Sequence, residues 1–155
     1  MGPNPPGPID PSAWYWLTNT NSNKCVDASG AGTSNGTPLV QWPCGSNQAN
    51  QQWQFGSTGD GYYTIANRNA ASTRQVIDVP GGSTNDGTKL ATWALNSGAN
   101  QQWRPERQSD GSYRFISRLN GKCLDITNAS TDDGTLVEQW TCNGTAAQSF
   151  RLTAA

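Results

Sequence analysis

The chain has 155 residues, a formal net charge of −1 and 14% charged residues, with seven Trp and no His. This length favours a single domain, and the balanced charge argues against nucleic-acid or anionic-membrane partners. No apolar run reaches the roughly 20 residues that a membrane-spanning helix needs. The lack of His excludes Ser-His-Asp and Cys-His nucleophile systems and His-ligated zinc. The composition therefore indicates binding rather than catalysis.

The chain begins with a proline-rich segment. Five of the nine prolines lie within the first 11 residues, and proline resists pairing in both helices and sheets. We predict an extended linker over residues 1–13 and one domain over residues 14–155. The segment lacks the charged and apolar regions of a signal peptide, so we expect a module taken from a longer protein.

Three copies of one sequence unit follow this segment. In chain order they read K-C-V-D…Q-W-P-C…Q-Q-W, then Q-V-I-D…T-W…Q-Q-W, then K-C-L-D…Q-W-T-C…Q-S-F. The Asp precedes the Trp by 15 residues in every copy, and successive Asp residues are 51 and 47 residues apart. Such agreement is very improbable by chance, so the domain contains an internal repeat with lobes of about 14–61, 62–111 and 112–155.

The four cysteines form two pairs of equal span, Cys25 with Cys44 and Cys123 with Cys142, each 19 residues apart. Two local disulfides are the simplest interpretation, and they imply an oxidising compartment and hence secretion. Four buried free thiols in a cytosolic protein are the alternative. The spacings do not resemble a Cys₄ zinc site, so we expect no metal.

Short alternating or apolar runs lie between turn signals such as Asp86-Gly87, Asp110-Gly111 and Asp133-Gly134. Runs of this length with closely spaced glycine-rich turns predict an all-β fold. About four strands in each copy give about twelve strands overall. Closure of the three copies about a pseudo-threefold axis would remove free sheet edges, so we expect a closed arrangement rather than an open solenoid.

These residues resemble the ricin B-type lectin family, which also occurs as family 13 carbohydrate-binding modules of bacterial polysaccharide hydrolases. The resemblance rests on Gln51-Gln52-Trp53, Gln101-Gln102-Trp103 and the variant Gln148-Ser149-Phe150, which match the Q-x-W element, and on the cysteines that frame C-[VL]-D and W-x-C. It implies a β-trefoil with three pseudo-symmetric repeats of about 47–51 residues, each with one shallow sugar site. We expect Trp53, Trp103 and Phe150 to lie in the core.

The resemblance also assigns a sugar site to each lobe, built from an Asp, a stacking Trp and an Asn-Gln pair. The residues concerned are Asp27, Trp42, Asn50 and Gln51 in the first lobe, Asp78, Trp93, Asn100 and Gln101 in the second, and Asp125, Trp140 and Gln148 in the third. A carboxylate accepts hydrogen bonds from adjacent hydroxyls, and an aromatic ring stacks on the C–H face of a pyranose.

Alternative roles remain for each residue class of these sites. The Asp residues could cap turns, the Trp residues could pack over the hairpin, and the Gln residues could serve the fold as well as the ligand. The third lobe departs from the pattern because Ala147 replaces the Asn. There Glu138 stands where the other lobes have Val40 and Ala91, and it could supply a compensating acceptor.

We therefore predict a secreted, monomeric, non-catalytic module, without cofactor, that anchors a covalently linked glycoside hydrolase to a polysaccharide such as xylan, arabinan, galactan or a β-glucan. The alternative is a galactose- or lactose-specific lectin domain that targets a toxin or protease to cell-surface glycans. A glycosidase needs two poised carboxylates, whereas the repeat supplies one Asp in each lobe. A protein-binding, inhibitor-like trefoil would not need the repeated Asp and Trp.

Overall fold

A computed structural model describes residues 9–155 as an all-β domain, with four strands in each of three lobes. Short alternating sequences form these strands, and seven 3-10 turns connect them. The strands are β1 (Tyr15–Asn19), β2 (Lys24–Ala28), β3 (Thr37–Pro43), β4 (Trp53–Ser57), β5 (Tyr63–Asn67), β6 (Gln75–Asp78), β7 (Ala91–Ala94), β8 (Trp103–Arg107), β9 (Tyr113–Ser117), β10 (Cys123–Ile126), β11 (Val137–Trp140) and β12 (Phe150–Ala154). The prediction of about twelve strands in three copies is confirmed.

The first and fourth strands of the lobes form a closed six-stranded barrel. Within the lobes β1 pairs with β4, β5 with β8 and β9 with β12. Between the lobes β4 pairs with β5, β8 with β9 and β12 with β1, all antiparallel. Every barrel strand therefore has two neighbours, which leaves no free edge in the barrel and confirms the predicted closure.

The second and third strands of each lobe form a hairpin, and the three hairpins cap one end of the barrel. The hairpins contact one another through the β3–β7 pairing and two isolated bridges, Val40 with Leu136 and Lys89 with Glu138. The backbone N–H groups of Gly36, Gly87 and Gly134 each donate a hydrogen bond of 2.8 Å to a backbone carbonyl of another lobe. This cap brings residues of neighbouring lobes together.

The core contains the aromatic residues expected from the Q-x-W elements. Trp53, Trp103 and Phe150 are completely buried, and the two indole N–H groups donate to the carbonyls of Val26 at 3.0 Å and Ile77 at 3.2 Å. Since a buried N–H without a partner is costly, these bonds fix both rings. The core prediction is confirmed for all three positions.

Both predicted disulfides are present, and each closes one cap hairpin. Cys25–Cys44 and Cys123–Cys142 have Cα–Cα distances of 5.1 Å, and there are no free cysteines among residues 9–155. The alternative of four free thiols is therefore wrong.

Most of the predicted linker, residues 1–8, lies outside the described residues. Within the remainder of the 1–13 segment, Ile9 packs against the core and the Asp10 N–H donates to the Tyr15 hydroxyl at 2.9 Å. In the part of the chain that the structure describes, no helix has the length and apolar character needed to cross a membrane.

Candidate functional site

Each lobe presents one buried Asp on the first strand of its cap hairpin. Asp27, Asp78 and Asp125 are 5%, 3% and 5% exposed, and they lie opposite Val40, Ala91 and Glu138 in the antiparallel register. Each carboxylate accepts a hydrogen bond from a side chain 23 or 24 residues away, not from a neighbouring backbone N–H. This arrangement differs from the turn cap that was the alternative role.

The partner of each Asp is the Gln of the Q-x-W element. Gln51, Gln101 and Gln148 donate to the Oδ2 atoms of the three Asp residues at 3.0, 2.9 and 2.8 Å. The second N–H of each amide donates to a hairpin carbonyl at 3.0 Å, and each amide oxygen accepts a backbone N–H at 2.8–2.9 Å. Each Gln is thus buried with its amide fully used, and it positions the Asp from behind.

The electrostatic setting of these carboxylates differs from that of a surface Asp. Burial raises the pKa of Asp27 and of Asp78, and the hydrogen bonds from Gln51 and Gln101 oppose this rise. A carboxylate that has lost most of its water gains more from a new charge-assisted hydrogen bond than an exposed one does. The sites are therefore suited to accept bonds from hydroxyl groups.

An exposed Trp stands beside each Asp. Trp42, Trp93 and Trp140 are 45%, 39% and 41% exposed, unusually high values for so large an apolar side chain. A turn glycine of another lobe lies beside each ring: Gly134 beside Trp42, Gly36 beside Trp93 and Gly87 beside Trp140. A Cβ atom added to each glycine would lie 3.6–3.8 Å from the Cζ3 atom of the ring. Each ring is thus supported by the adjacent lobe at one edge and open to solvent elsewhere.

Three surface cavities coincide with the Asp and Trp pairs, one in each lobe. Their volumes are about 440, 370 and 270 Å³ for the first, second and third lobe. The lining residues include Asp27, Trp42, Asn50 and Gly134 in the first, Asp78, Trp93, Asn100 and Leu119 in the second, and Asp125, Glu138, Trp140 and Ala147 in the third. The predicted Asp, Trp and Asn residues therefore line the cavities, whereas the predicted Gln residues lie behind them.

The two Asn residues hold one wall of their cavities. The Asn50 amide donates to the Ala28 carbonyl at 3.3 Å. The Asn100 amide donates to the Val79 carbonyl at 3.1 Å and to Asp78 at 3.3 Å. In the third lobe Ala147 takes this position and is 4% exposed. That wall instead carries the polar residues Asn143 and Thr145.

The third cavity contains a second carboxylate, that of Glu138. Glu138 is 4% exposed and lines the cavity beside Asp125. Its Oε1 atom accepts from the Nζ atom of Lys89 at 2.7 Å, and Lys89 belongs to the second lobe. Burial and the neighbouring Glu138 raise the pKa of Asp125 from 3.8 to about 7.

Sequence reasoning missed the residues that face each site from outside its own Asp-Trp unit. These are Lys89, Gly134 and Leu119. The 3-10 turns that follow the Asp inside each unit were missed as well: Ser29–Ala31, Pro80–Gly82 and Thr127–Ala129. The turns contain left-handed residues such as Gly30, Gly81 and Asn128, with φ of 62°, 68° and 56°. The Gly or Asn three residues after each Asp could have predicted these turns, since both residue types tolerate a positive φ.

No group of three or more Cys, Asp or Glu side chains that could hold a metal ion occurs within residues 9–155. The geometry provides a buried acceptor, an exposed aromatic face and flanking amides around an open cavity. Such a set matches a pyranose, which has donating hydroxyls at its rim and a C–H patch on one face. Barrel, cap and cavities together define a β-trefoil with one cavity of this composition in each lobe.

The chain belongs to the family described as ricin-type beta-trefoil lectin domain-like, whose model matches residues 8–93, 49–140 and 99–155. It is thus a carbohydrate-binding domain of the ricin B-like lectin type. A comparison with curated proteins returned no match.

Solved structures show the same fold. A designed threefold-symmetric protein, ThreeFoil, is 37% identical with a TM-score of 0.87 over 92% of this chain and 99% of its own. An exo-beta-1,3-galactanase from Clostridium thermocellum is 32% identical with a TM-score of 0.88 over 96% of this chain, which spans 31% of the galactanase. A ricin B-like lectin from Macrolepiota procera, solved with lactose, is 22% identical with a TM-score of 0.77 over 96% of this chain and 99% of its own.

Proposed function

We propose that this chain is a non-catalytic module that anchors a secreted polysaccharide hydrolase to its substrate. The observation that carries the proposal is the threefold recurrence of a Gln-held, buried Asp beside an exposed Trp at an open cavity. One Asp in each of the first two cavities supplies an acceptor but no acid–base pair, so the repeated unit is suited to hold a sugar without cleaving it.

The anchoring role and the choice of polymer draw support from the galactanase, in which the similar region makes up 31% of the chain. We therefore place galactan first among the candidate polysaccharides. The two disulfides agree with a secreted protein.

Three sites on one molecule would compensate for weak individual binding. A shallow site that holds one ring is expected to bind with a Kd of roughly 0.1–10 mM. Sites on separate faces that engage one polymer raise the overall affinity through effective concentration. We therefore expect strong retention on an insoluble polymer and weak binding of a monosaccharide.

The test is retention on insoluble galactan, xylan and β-1,3-glucan, measured for the wild type and for Trp42→Ala, Trp93→Ala and Trp140→Ala singly and combined. Each single change should weaken retention on the bound polymer severalfold, and the triple variant should not be retained. Trp14→Ala is the matched control, since Trp14 lies under Arg68 at 5.1 Å and outside the three cavities. Unchanged retention of the triple variant would overturn the proposal.

A competition experiment separates anchoring from the lectin alternative. If free galactose displaces the module as effectively, per sugar residue, as soluble fragments of the polymer do, the chain acts as a galactose-specific lectin. Anchoring through several sites requires that polymer fragments compete better than the monosaccharide.

A further inference from the structure

The third site differs from the other two in the residue opposite its Asp. In the β10–β11 hairpin Asp125 lies directly across from Glu138, whereas Asp27 faces Val40 and Asp78 faces Ala91. Like charges directly opposite each other destabilise an antiparallel pair. Both carboxylates are also at least 95% buried, so this lobe carries an electrostatic cost that the others do not have.

The residue opposite each Asp also pairs with a residue of a neighbouring lobe. Leu136 bridges to Val40 and Pro38 pairs with Ala91, so the first two sites have an apolar pair here. In the third site Lys89 bridges to Glu138, and its ammonium contacts Glu138 Oε1 at 2.7 Å and Thr127 Oγ1 at 3.1 Å. One lysine therefore faces two carboxylates.

The third site therefore has two carboxylates and one ammonium, whereas each of the first two sites has a single carboxylate beside an apolar pair. Asp125 has Gln148 as its hydrogen-bond donor, and burial together with the neighbouring Glu138 raises the pKa of Asp125 to about 7. Two other cations of the same lobe are already paired, Lys122 with Asp86 at 2.9 Å and Arg114 with Glu106. The cavity is otherwise lined by uncharged side chains, among them Asn128, Asn143 and Thr145.

We propose that the third site is specific for a cationic sugar, a 2-amino-2-deoxyhexose whose ammonium lies between Asp125 and Glu138, whereas the first and second sites bind neutral sugars. An ammonium donates charge-assisted hydrogen bonds to both carboxylates and favours the ionised form of Asp125. The exposed ring of Trp140 supplies the stacking face on the same cavity. This inference rests on the proposed sugar-binding function and adds the ligand class of one site.

The test uses the indole N–H signals of Trp42, Trp93 and Trp140 in wild-type protein as separate NMR reporters, assigned with single Trp→Phe variants. The probes are galactosamine and glucosamine, with their N-acetyl forms and galactose as uncharged controls, at pH 6.5. Trp140 should respond to an amino sugar with an affinity about tenfold higher than to its N-acetyl form. Trp42 and Trp93 should show no such preference. Binding of the amino sugar should also release protons, which calorimetry in two buffers measures.

The matched variant is Lys89→Leu/Glu138→Val, which gives the third site the Leu136 and Val40 pair of the first. It removes both members of the ion pair, so neither Lys89 nor Glu138 is left without its partner, and Asp125 is left with an apolar pair like Asp27 in the first site. The tenfold preference should disappear in this variant, and Glu138→Gln should reduce it while keeping the shape of the cavity.

Two binding results would overturn the inference: equal affinity of the Trp140 site for an amino sugar and its N-acetyl form, or the same preference for the amino sugar at Trp42 or Trp93. An unchanged preference in Lys89→Leu/Glu138→Val would also overturn it. So would a larger shift of the Trp140 signal with CaCl₂ than with the amino sugar, since the site would then bind a metal cation. Failure of the proposed function looks different, since then no sugar would shift any of the three signals. Neutral sugars that shift Trp42 and Trp93, with no amine preference at Trp140, would defeat this inference alone.

Discussion

At the scale of single residues, the Gln of each lobe connects the fold to the site. Gln51 joins Asp27 to the Pro43 carbonyl and the Gly45 N–H, and equivalent bonds recur around Gln101 and Gln148. Since Trp53 lies two residues further on in the core, one short motif fixes the barrel and orients the acceptor. The Q-x-W pattern therefore has a structural and a functional part.

Replacement of Gln51 by Leu should be costly because it leaves a buried carboxylate, a carbonyl and an N–H without their partner. We expect Gln51→Leu to lower the free energy of unfolding by about 2–3 kcal/mol and to weaken sugar binding at Trp42 only. Urea denaturation and the Trp42 indole signal measure the two effects. Gln54→Leu, a half-buried position on β4, is the control and should stay within about 0.5 kcal/mol of the wild type. Equal effects of both changes would refute the role of Gln51.

The pH dependence of stability should carry a signature of Asp125. Its pKa rises from 3.8 to about 7 on folding, so the folded state binds the proton more tightly. The resulting stabilisation is complete below about 3.8 and is lost as the pH rises through about 7. The variant keeps the burial of Asp125 but removes Glu138, so relative to Lys89→Leu/Glu138→Val the wild type should gain only about 1 kcal/mol between pH 7.5 and 4.5.

Urea midpoints of both proteins at the two pH values measure this gain. Comparison with the variant cancels the surface carboxylates whose pKa values are lowered by hydrogen bonds and ion pairs, such as Asp60, Asp86 and Glu106. Their contributions have the opposite sign, because they are lost as the pH falls. Parallel pH profiles of the wild type and the variant would show that Glu138 does not raise the pKa of Asp125.

At the scale of elements, the three cap hairpins have one shape but different covalent support. Disulfides close the first and third hairpins, while Val76 and Leu95 hold the corresponding places in the second. Val76 is 1% exposed but Leu95 is 40% exposed, so the second hairpin gains less from packing there than a disulfide would give. We infer that the second hairpin is the least constrained of the three.

A third disulfide should therefore form in Val76→Cys/Leu95→Cys. The chain-entropy model gives a gain of about 3 kcal/mol for a loop of about 20 residues. Denaturation midpoints with and without a reductant measure the gain, and thiol titration reports closure. The single variants Val76→Cys and Leu95→Cys are controls that should show no gain. A closed bond without a gain in stability would mean that the second hairpin is already as ordered as the others.

At the scale of the whole molecule, the sites are linked in a ring. The turn glycine of each lobe lies beside the Trp of another lobe: Gly36 beside Trp93, Gly87 beside Trp140 and Gly134 beside Trp42. The ion pair of Lys89 with Glu138 crosses the same kind of boundary. No site is therefore complete within its own repeat, and the closed trefoil is required for all three.

Gly134→Ala tests this dependence, since the change lies in the third lobe but its effect should appear in the first. Gly134 has φ of +82°, so an added Cβ strains the turn by about 1–2 kcal/mol. We expect weaker sugar binding at Trp42 and unchanged binding at Trp140. Gly59→Ala is the control, because it has a similar φ of +92° in open space away from the sites. Equal losses at Trp42 and Trp140 would indicate general destabilisation instead.

The sequence alone determined the fold and predicted most of the residues that line the three cavities. The 15-residue spacing of Asp and Trp, the two cysteine pairs and the Q-x-W elements predicted three lobes, twelve strands, both disulfides and the core aromatics. These features are local in the sequence, because each lobe is one hairpin and two barrel strands within about 50 residues. The repeat in the sequence is therefore sufficient to predict them.

Only the tertiary structure decided which polar side chains line each cavity and which lie behind it and position the Asp. Gln51 and Asn50 are adjacent in the sequence, yet Gln51 lies behind Asp27 while Asn50 lines the site, because one side chain enters the hairpin and the other does not. The contributions of Lys89 and Gly134 come from neighbouring lobes. Such contacts depend on closure of the ring, which places residues 49 and 92 positions apart side by side.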